Sequence, residues 1–296
     1  MSATTLRATT PPQISARRRR TDKLMRGTLF AGTIVALIPL VLIVYYLLHK
    51  GISVWTQSGF FTTDPTGSFF GDPGGIRSAI LGSLVIVALA SLISIPIGIG
   101  VALYLTEYGK QSWFANTVRY FVDVMTGVPS IMMGLFIYIV LVTSKVGGSG
   151  YAAWKGSVAL ALLMLPIVAR SAEVVLLLVP DSLREAALAL GAPRWRVVLR
   201  VVLPTALSGL VTGSLLAIAR GMGETAPLLF TASIVNATQL NPGQPESSLP
   251  LLIFNYVGQA QNRLVGIAWG AALTLVLMIL VLTVAARIVS RRSRLT

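Results

Sequence analysis

Long apolar runs separated by short polar, basic or Gly/Pro-rich stretches organise this chain. Six of them reach the roughly 20 residues that an α-helix needs to cross a hydrocarbon core: Thr28–Leu48, Ile76–Leu105, Tyr120–Val142, Gly156–Val179, Thr205–Gly223 and Leu264–Ala286. The pattern predicts an all-α polytopic membrane protein with six transmembrane helices. Pro96 and Gly98 mark a kink in the second span, and the third contains Pro129 and Ser130. Ala226–Val235 is apolar but too short to cross, so it is either a re-entrant half helix or an extension of the fifth span.

Composition agrees with that pattern, since 54% of the 296 residues are hydrophobic and only 11% are charged. A net charge of +14 suggests nucleic acid until its distribution is considered. The basic residues cluster beside alternate apolar runs, and only Lys50, Arg77, Lys145, Lys155 and Arg263 fall on the other set of connections. The positive-inside rule then places both termini in the cytoplasm and leaves no role for nucleic acid. Residues 1–27 read as a disordered basic cytoplasmic tail, 28–75 as the first transmembrane helix and an external loop that includes Phe69 and Phe70, 76–287 as the core, and 288–296, with Arg294, as a second basic tail. No GxxxxGK[ST] loop, HExxH pair or cysteine occurs, so ATP binding by a P-loop, HExxH zinc-protease chemistry and thiolate chemistry have no carriers here.

Between the fourth and fifth runs lies SLREAALALGAPRWRVVLRVVLP, Ser182–Pro204. Ser182 and Glu185 have capping-box spacing, Leu183, Ala186, Ala187 and Leu190 recur at helical intervals, Gly191 suits a left-handed cap, and Pro193 suits the start of a second helix. A short helix over 182–191, a corner and a second helix follow. By physics alone the segment equally suits a helix lying on anionic lipid.

Charges within spans are costly in lipid and mark a pathway or a buried pair. Arg170 and Glu173 stand one turn apart in the fourth span, and Arg220 and Glu224 one turn apart near the outer end of the fifth. A pair of salt bridges holding helices together accounts for them, as does a pair of forked donors passing an oxyanion. Gly209, Gly213, Ala217 and Gly221 form a small-residue stripe for close helix packing.

Four stretches carry a resemblance. Glu185, Ala186 and Ala187, with Gly191 after three residues and Val201, Leu203 and Pro204 after nine more, resemble the EAA loop of ABC importer permeases. ARGMGETAPLLFTA (219–232), PIVARSAE (166–173) and PSIMMGLFIY (129–138) resemble the phosphate permease subunits, the PstA family. The resemblance implies a type I, MetI-like importer fold in the inner membrane and a multi-pass subunit translocating phosphate without an ATPase site of its own. It implies as partners an ABC ATPase dimer that binds ATP and magnesium, a second, PstC-type permease, and an extracytoplasmic phosphate-binding protein. Arg184, Glu185, Ala186, Ala187 and Gly191 are then the ATPase-coupling residues, and Arg170, Glu173, Arg220, Glu224 and Thr225 line the translocation path. Another oxyanion, or a self-sufficient secondary transporter, is the alternative.

Overall fold

A computed structural model describes residues 15–68, 71–148 and 150–292. The first 14 residues of the expected tail, the loop aromatics Phe69 and Phe70, and Arg294 lie outside the described residues. All regular elements among the described residues are helical. Two compact units, residues 1–49 and 50–296, divide the chain.

Most of the first unit belongs to helix α1 (Ala16–Trp55). Residues 16–27, expected to be disordered, continue the apolar helix outward, and Arg26 pairs with Asp22 one turn away at 3.0 Å. Leu29, Phe30, Val35, Val41 and Ile43 are all exposed, an apolar surface suited to lipid tails.

In the second unit, α2 (Arg77–Leu103) and α5 (Ala153–Leu177) pack along their lengths. Ile86, Ala90, Leu160, Met164 and Val168 fill the seam, and a Cβ on Gly98 would lie 2.8 Å from that of Val168. Helix α8 (Leu203–Met222) lies against α5 through the expected small-residue stripe. Cβ atoms on Gly209 and Gly213 would meet Val175 and Ser171 at 2.4 Å, and one on Gly221 would meet Met164 at 2.9 Å. With no hydrophobic drive between helices in lipid, this close backbone approach supplies the dispersion contacts that hold them.

The expected third span is a bent pair, α3 (Trp113–Gly127) and α4 (Ser130–Ile137), the latter continued by a π-helical turn to Thr143, with 103° between the two arms. The cause is local. Pro129 excludes its predecessor from the helical region, and Val128 is extended at ψ 127°. Ser130–Thr143 alone reaches about 21 Å, short of a roughly 30 Å core. Five helices among the described residues are long and apolar enough to cross a membrane, six if the bent pair counts as one.

At one end the chain after α8 breaks over Gly223–Thr225 and restarts as α9 (Ala226–Thr231), so this segment is separate from the fifth span rather than its extension. The carbonyls of Thr231, Gln244 and Pro242 accept the amides of Ala152, Ala153 and Trp154, satisfying donors that the start of α5 leaves open. Helix α10 (Leu249–Val257) begins on α2, where Ser83 Oγ accepts the Leu249 amide at 2.8 Å. Helix α11 (Asn262–Arg292) completes the unit, running helical through residues expected to form a tail.

Candidate functional site

At the end opposite α10, Ser182–Pro204 folds into the expected helix and corner with two differences. Helix α6 is Asp181–Ala189, capped by Pro180 without a side-chain bond, so Ser182 and Glu185 form no capping box. Pro180 sets the entry one residue early, and Asp181 takes the first-turn position that suits an acid. Gly191 has φ +81°, the left-handed cap its sequence position implies. Pro193 is the N-cap of helix α7 (Arg194–Val197) rather than its first residue, and a π-helical turn over Val198–Val202 leads into α8.

Only part of the coupling set faces outward. Ala187 packs on a core of Ala172, Leu176, Val179 and Val202. Arg184, expected to meet an ATPase, is 15% exposed and turned inward. Its guanidinium donates to Glu107 Oε1 at 2.9 and 3.1 Å, to the Leu176 carbonyl at 2.9 Å and to Asp181 at 3.0 Å. Carbonyls at the end of α5 are orphaned acceptors, and a five-donor fork satisfies them best from inside. Glu185, Ala186, Leu183, Leu188 and Leu190 remain exposed.

Arg170 and Glu173 form the expected pair at 2.7 Å, within a larger cluster. Glu173, 8% exposed, accepts Arg170 on Oε2 and Arg119 of α3 on Oε1 at 2.8 Å. Arg170 Nε donates to Asp123 of α3 at 2.9 Å, and its Nη2 also pairs with Asp123. Two guanidinium groups and two carboxylates make the cluster neutral, with every edge of Arg170 engaged. This is the helix-tying arrangement that charge within a span allows, extended to four residues.

Arg220 is held differently. Its Nε lies 3.9 Å from Glu224, and its side chain is 69% exposed against 18% for Glu224. Thr225 is half-buried and is the N-cap of α9, its carbonyl accepting the Leu229 amide. Because Gly213 faces Ser171 and Gly221 faces Met164, the antiparallel register sets Arg170 and Arg220 about 9 Å apart along the helix axes. The two arginines therefore do not meet. A groove of about 730 Å³ runs between α5, α8 and α11, lined by Arg170, Ser171, Ser208, Thr212, Thr283 and Arg287.

A second polar layer lies at the α10 end. Asp64 accepts Arg77 at 3.0 Å and the Thr238 amide at 3.0 Å. Burial works to raise the Asp64 carboxyl, but Arg77 and Thr238 outweigh it and hold it at about 2. Glu246 is 1% exposed, and neither carboxyl oxygen makes a full hydrogen bond. Burial, aided by the Asp64 charge, raises it from 4.5 to about 7 against a weaker opposing effect of the Gln239 amide. The fold therefore binds this proton more tightly than the unfolded chain, so stability falls as pH rises from about 4.5 through 7. Glu246→Gln is expected to flatten that fall, by a few degrees in thermal unfolding at pH 8 and little at pH 5; parallel profiles for the two proteins would contradict it.

A family model for binding-protein-dependent transport system inner membrane components matches residues 94–295. The phosphate transport system permease protein PstA of Haemophilus influenzae is 39% identical over 271 residues, covering 92% of this chain and 94% of its own. PstA 1 of Mycobacterium tuberculosis is 37% identical over 288 residues, with 95% and 92% covered. Among solved structures, an inward-facing MetNI methionine ABC transporter superposes with a TM-score of 0.59 at 21% identity, covering 74% of this chain and 94% of that one. A bacterial alginate ABC transporter, in complex with an alginate pentasaccharide-bound periplasmic protein, superposes at 0.65 and 16% identity, covering 92% and 96%. At these identities the two structures speak to fold alone, and that fold is the one expected.

Proposed function

From the premise that this chain belongs to the binding-protein-dependent transport system inner membrane component family, among its PstA-type phosphate permeases, we propose that ATP binding by a separate subunit moves phosphate past Arg220 and Arg170. The chain is a multi-pass inner-membrane subunit of an ABC phosphate importer and has no ATPase site of its own. Both termini lie in the cytoplasm, with the bent α3–α4 pair as the third crossing. An ATPase dimer binding ATP and magnesium seats on the exposed face of α6, where Glu185, Ala186 and the cap at Gly191 meet it. A PstC-type permease completes the pore, and a phosphate-binding protein delivers substrate at the α10 end.

One observation carries the residue assignment: a guanidinium at Arg220, 69% exposed on an apolar helix and only loosely paired. An arginine kept open where lipid would penalise it needs water or a passing anion beside it. Glu224 orients it, and Thr225 lies at the break that follows. Contact with phosphate must be weak, because a deep well traps what it should pass. Arg170 and Glu173 form the inner step. Arg184 supports α6 from within, so its part in coupling is to hold the helix that touches the ATPase.

Co-purification tests the assembly. A tagged chain extracted in mild detergent is expected to bring down an ATPase and a second, related permease; recovery of this chain alone, from membranes competent for phosphate uptake, would contradict the reading.

A further inference from the structure

Helix α6 is joined to Arg170 by a run of ion pairs and backbone hydrogen bonds that does not follow the covalent chain. Arg184 on α6 grips Glu107, which is 11% exposed in the π-helical turn Tyr104–Tyr108 that ends α2. Arg119 of α3 holds the same turn and the residues after it: its Nη2 donates to the Leu105 carbonyl at 3.1 Å, within the turn, and its Nη1 to the Lys110 carbonyl at 2.8 Å, two residues past it. Lys110 sits at φ +39°, a left-handed conformation that costs a residue with a Cβ and persists only where its surroundings impose it. The third donor of Arg119, Nε, reaches Glu173 Oε1 at 2.8 Å, and Glu173 Oε2 holds Arg170. The end of α2 and the strained bend at Lys110 just after it, held by two arginines, thus stand between the corner helix and the inner arginine.

The cluster at the far end of this run has two ways of pairing its charges. In the arrangement seen, α3 and α5 exchange partners across their interface, Arg119 with Glu173 and Asp123 with Arg170. Arg119 and Asp123 are also four residues apart on one helix, and Arg170 and Glu173 three apart on the other, both spacings that allow pairing within a helix. The second pairing already exists in part, since Arg170 meets Glu173 at 2.7 Å. Moving α3 away from α5 therefore strands no charge: each helix keeps a neutral pair, and the Nε edge of Arg170 is uncovered beside the groove that it lines.

We infer that α3 is a partner-exchange latch, with Glu107 and Arg119 as positioning residues through which displacement of α6 lifts Arg119 and Asp123 together and opens Arg170 to the anion path. The inference rests on the importer reading for its driving force and its anion. It explains why Arg184 faces inward and why Arg170 is tied to Asp123 and Glu173 at rest: the donors that Asp123 holds become available when α6 moves, once per cycle.

The chain has no cysteine, so two introduced ones are its only thiol label sites. Phe121→Cys on α3 and Leu178→Cys at the end of α5 are both exposed positions. Spin labels there, in the assembled transporter, are expected to separate by several ångströms, about one helical turn, when the ATPase is trapped with a non-hydrolysable ATP analogue. Glu107→Gln in the same background is expected to abolish the separation and lower phosphate uptake at least about tenfold. An unchanged distance on trapping would overturn the latch even if the Glu107 variant failed to assemble. Separation and uptake that both survive Glu107→Gln would overturn the route through the turn. Failure of the unsubstituted complex to take up phosphate with ATP would instead remove the importer reading, so the two failures are distinct.

Discussion

Arg220→Gln is expected to lower phosphate uptake about ten- to a hundredfold while leaving the assembled complex at its usual level. A hydrogen bond to a charged group contributes about 1.5–3 kcal/mol, which sets that range. On the proposed assignment, the bond lost is to the passing anion. Its alternative role, a salt bridge stabilising α8, is weak on geometry: an ion pair at 3.9 Å with a 69% exposed arginine contributes at most about 1 kcal/mol. Uptake normalised to complex, measured beside the quantity of complex recovered, separates the two. A loss of complex with normal uptake per complex remaining would return Arg220 to a structural part. The same substitution at Arg170 is no such test, because that guanidinium also ties α3 to α5.

Glu185→Lys is expected to reduce ATP-driven uptake at least about tenfold with the chain still inserted and folded. Glu185 is exposed on α6, so reversal of its charge leaves no buried group unpaired within the chain and costs the fold little. What it does change is the surface that α6 offers. Removing one partner of a desolvated charge pair at an interface costs about 2–5 kcal/mol, and reversing it adds repulsion. Unchanged uptake in this variant would show that α6 receives nothing from an ATPase at that position.

Both predictions concern residues visible in the sequence, and the contrast between them and Arg184 shows where sequence reading stops. Periodicity placed α2, α5, α8 and α11 because lipid demands unbroken apolar helices, and the glycine stripe of α8 met α5 as its spacing implies. Gly191 carried its own signal, since a left-handed cap favours a residue without a Cβ. Arg184 carried none. It shares the corner with Glu185, and whether a side chain points to a partner or back into the chain depends on where the end of α2 lies, which no local pattern contains.

Asp123 is a different case. It falls inside the apolar run beginning at Tyr120, where an acid is costly unless paired; the signal is local, yet the expected pair held only Arg170 and Glu173 and left Asp123 and Arg119 out. The bend at Val128 was also written locally, in the proline that follows it. A run of 23 apolar-rich residues nevertheless reads as one straight span when length alone decides. Glu246 lies in a polar, proline-rich loop that reads as solvent-facing, yet a Cβ on Gly82 would lie only 1.9 Å from the Ser247 carbonyl beside it. That close approach of loop to helix buries the carboxylate. Tertiary contact, not composition, decides its state.

Reconstitution decides the central claim most directly. Liposomes containing this chain with its second permease and ATPase, supplied with phosphate-binding protein and with ATP on the ATPase side, are expected to accumulate radiolabelled phosphate. Uptake should stop when ATP, the binding protein or the ATPase is left out, and excess sulfate or molybdate should not compete. Phosphate movement through this chain alone, without ATP, would contradict the account.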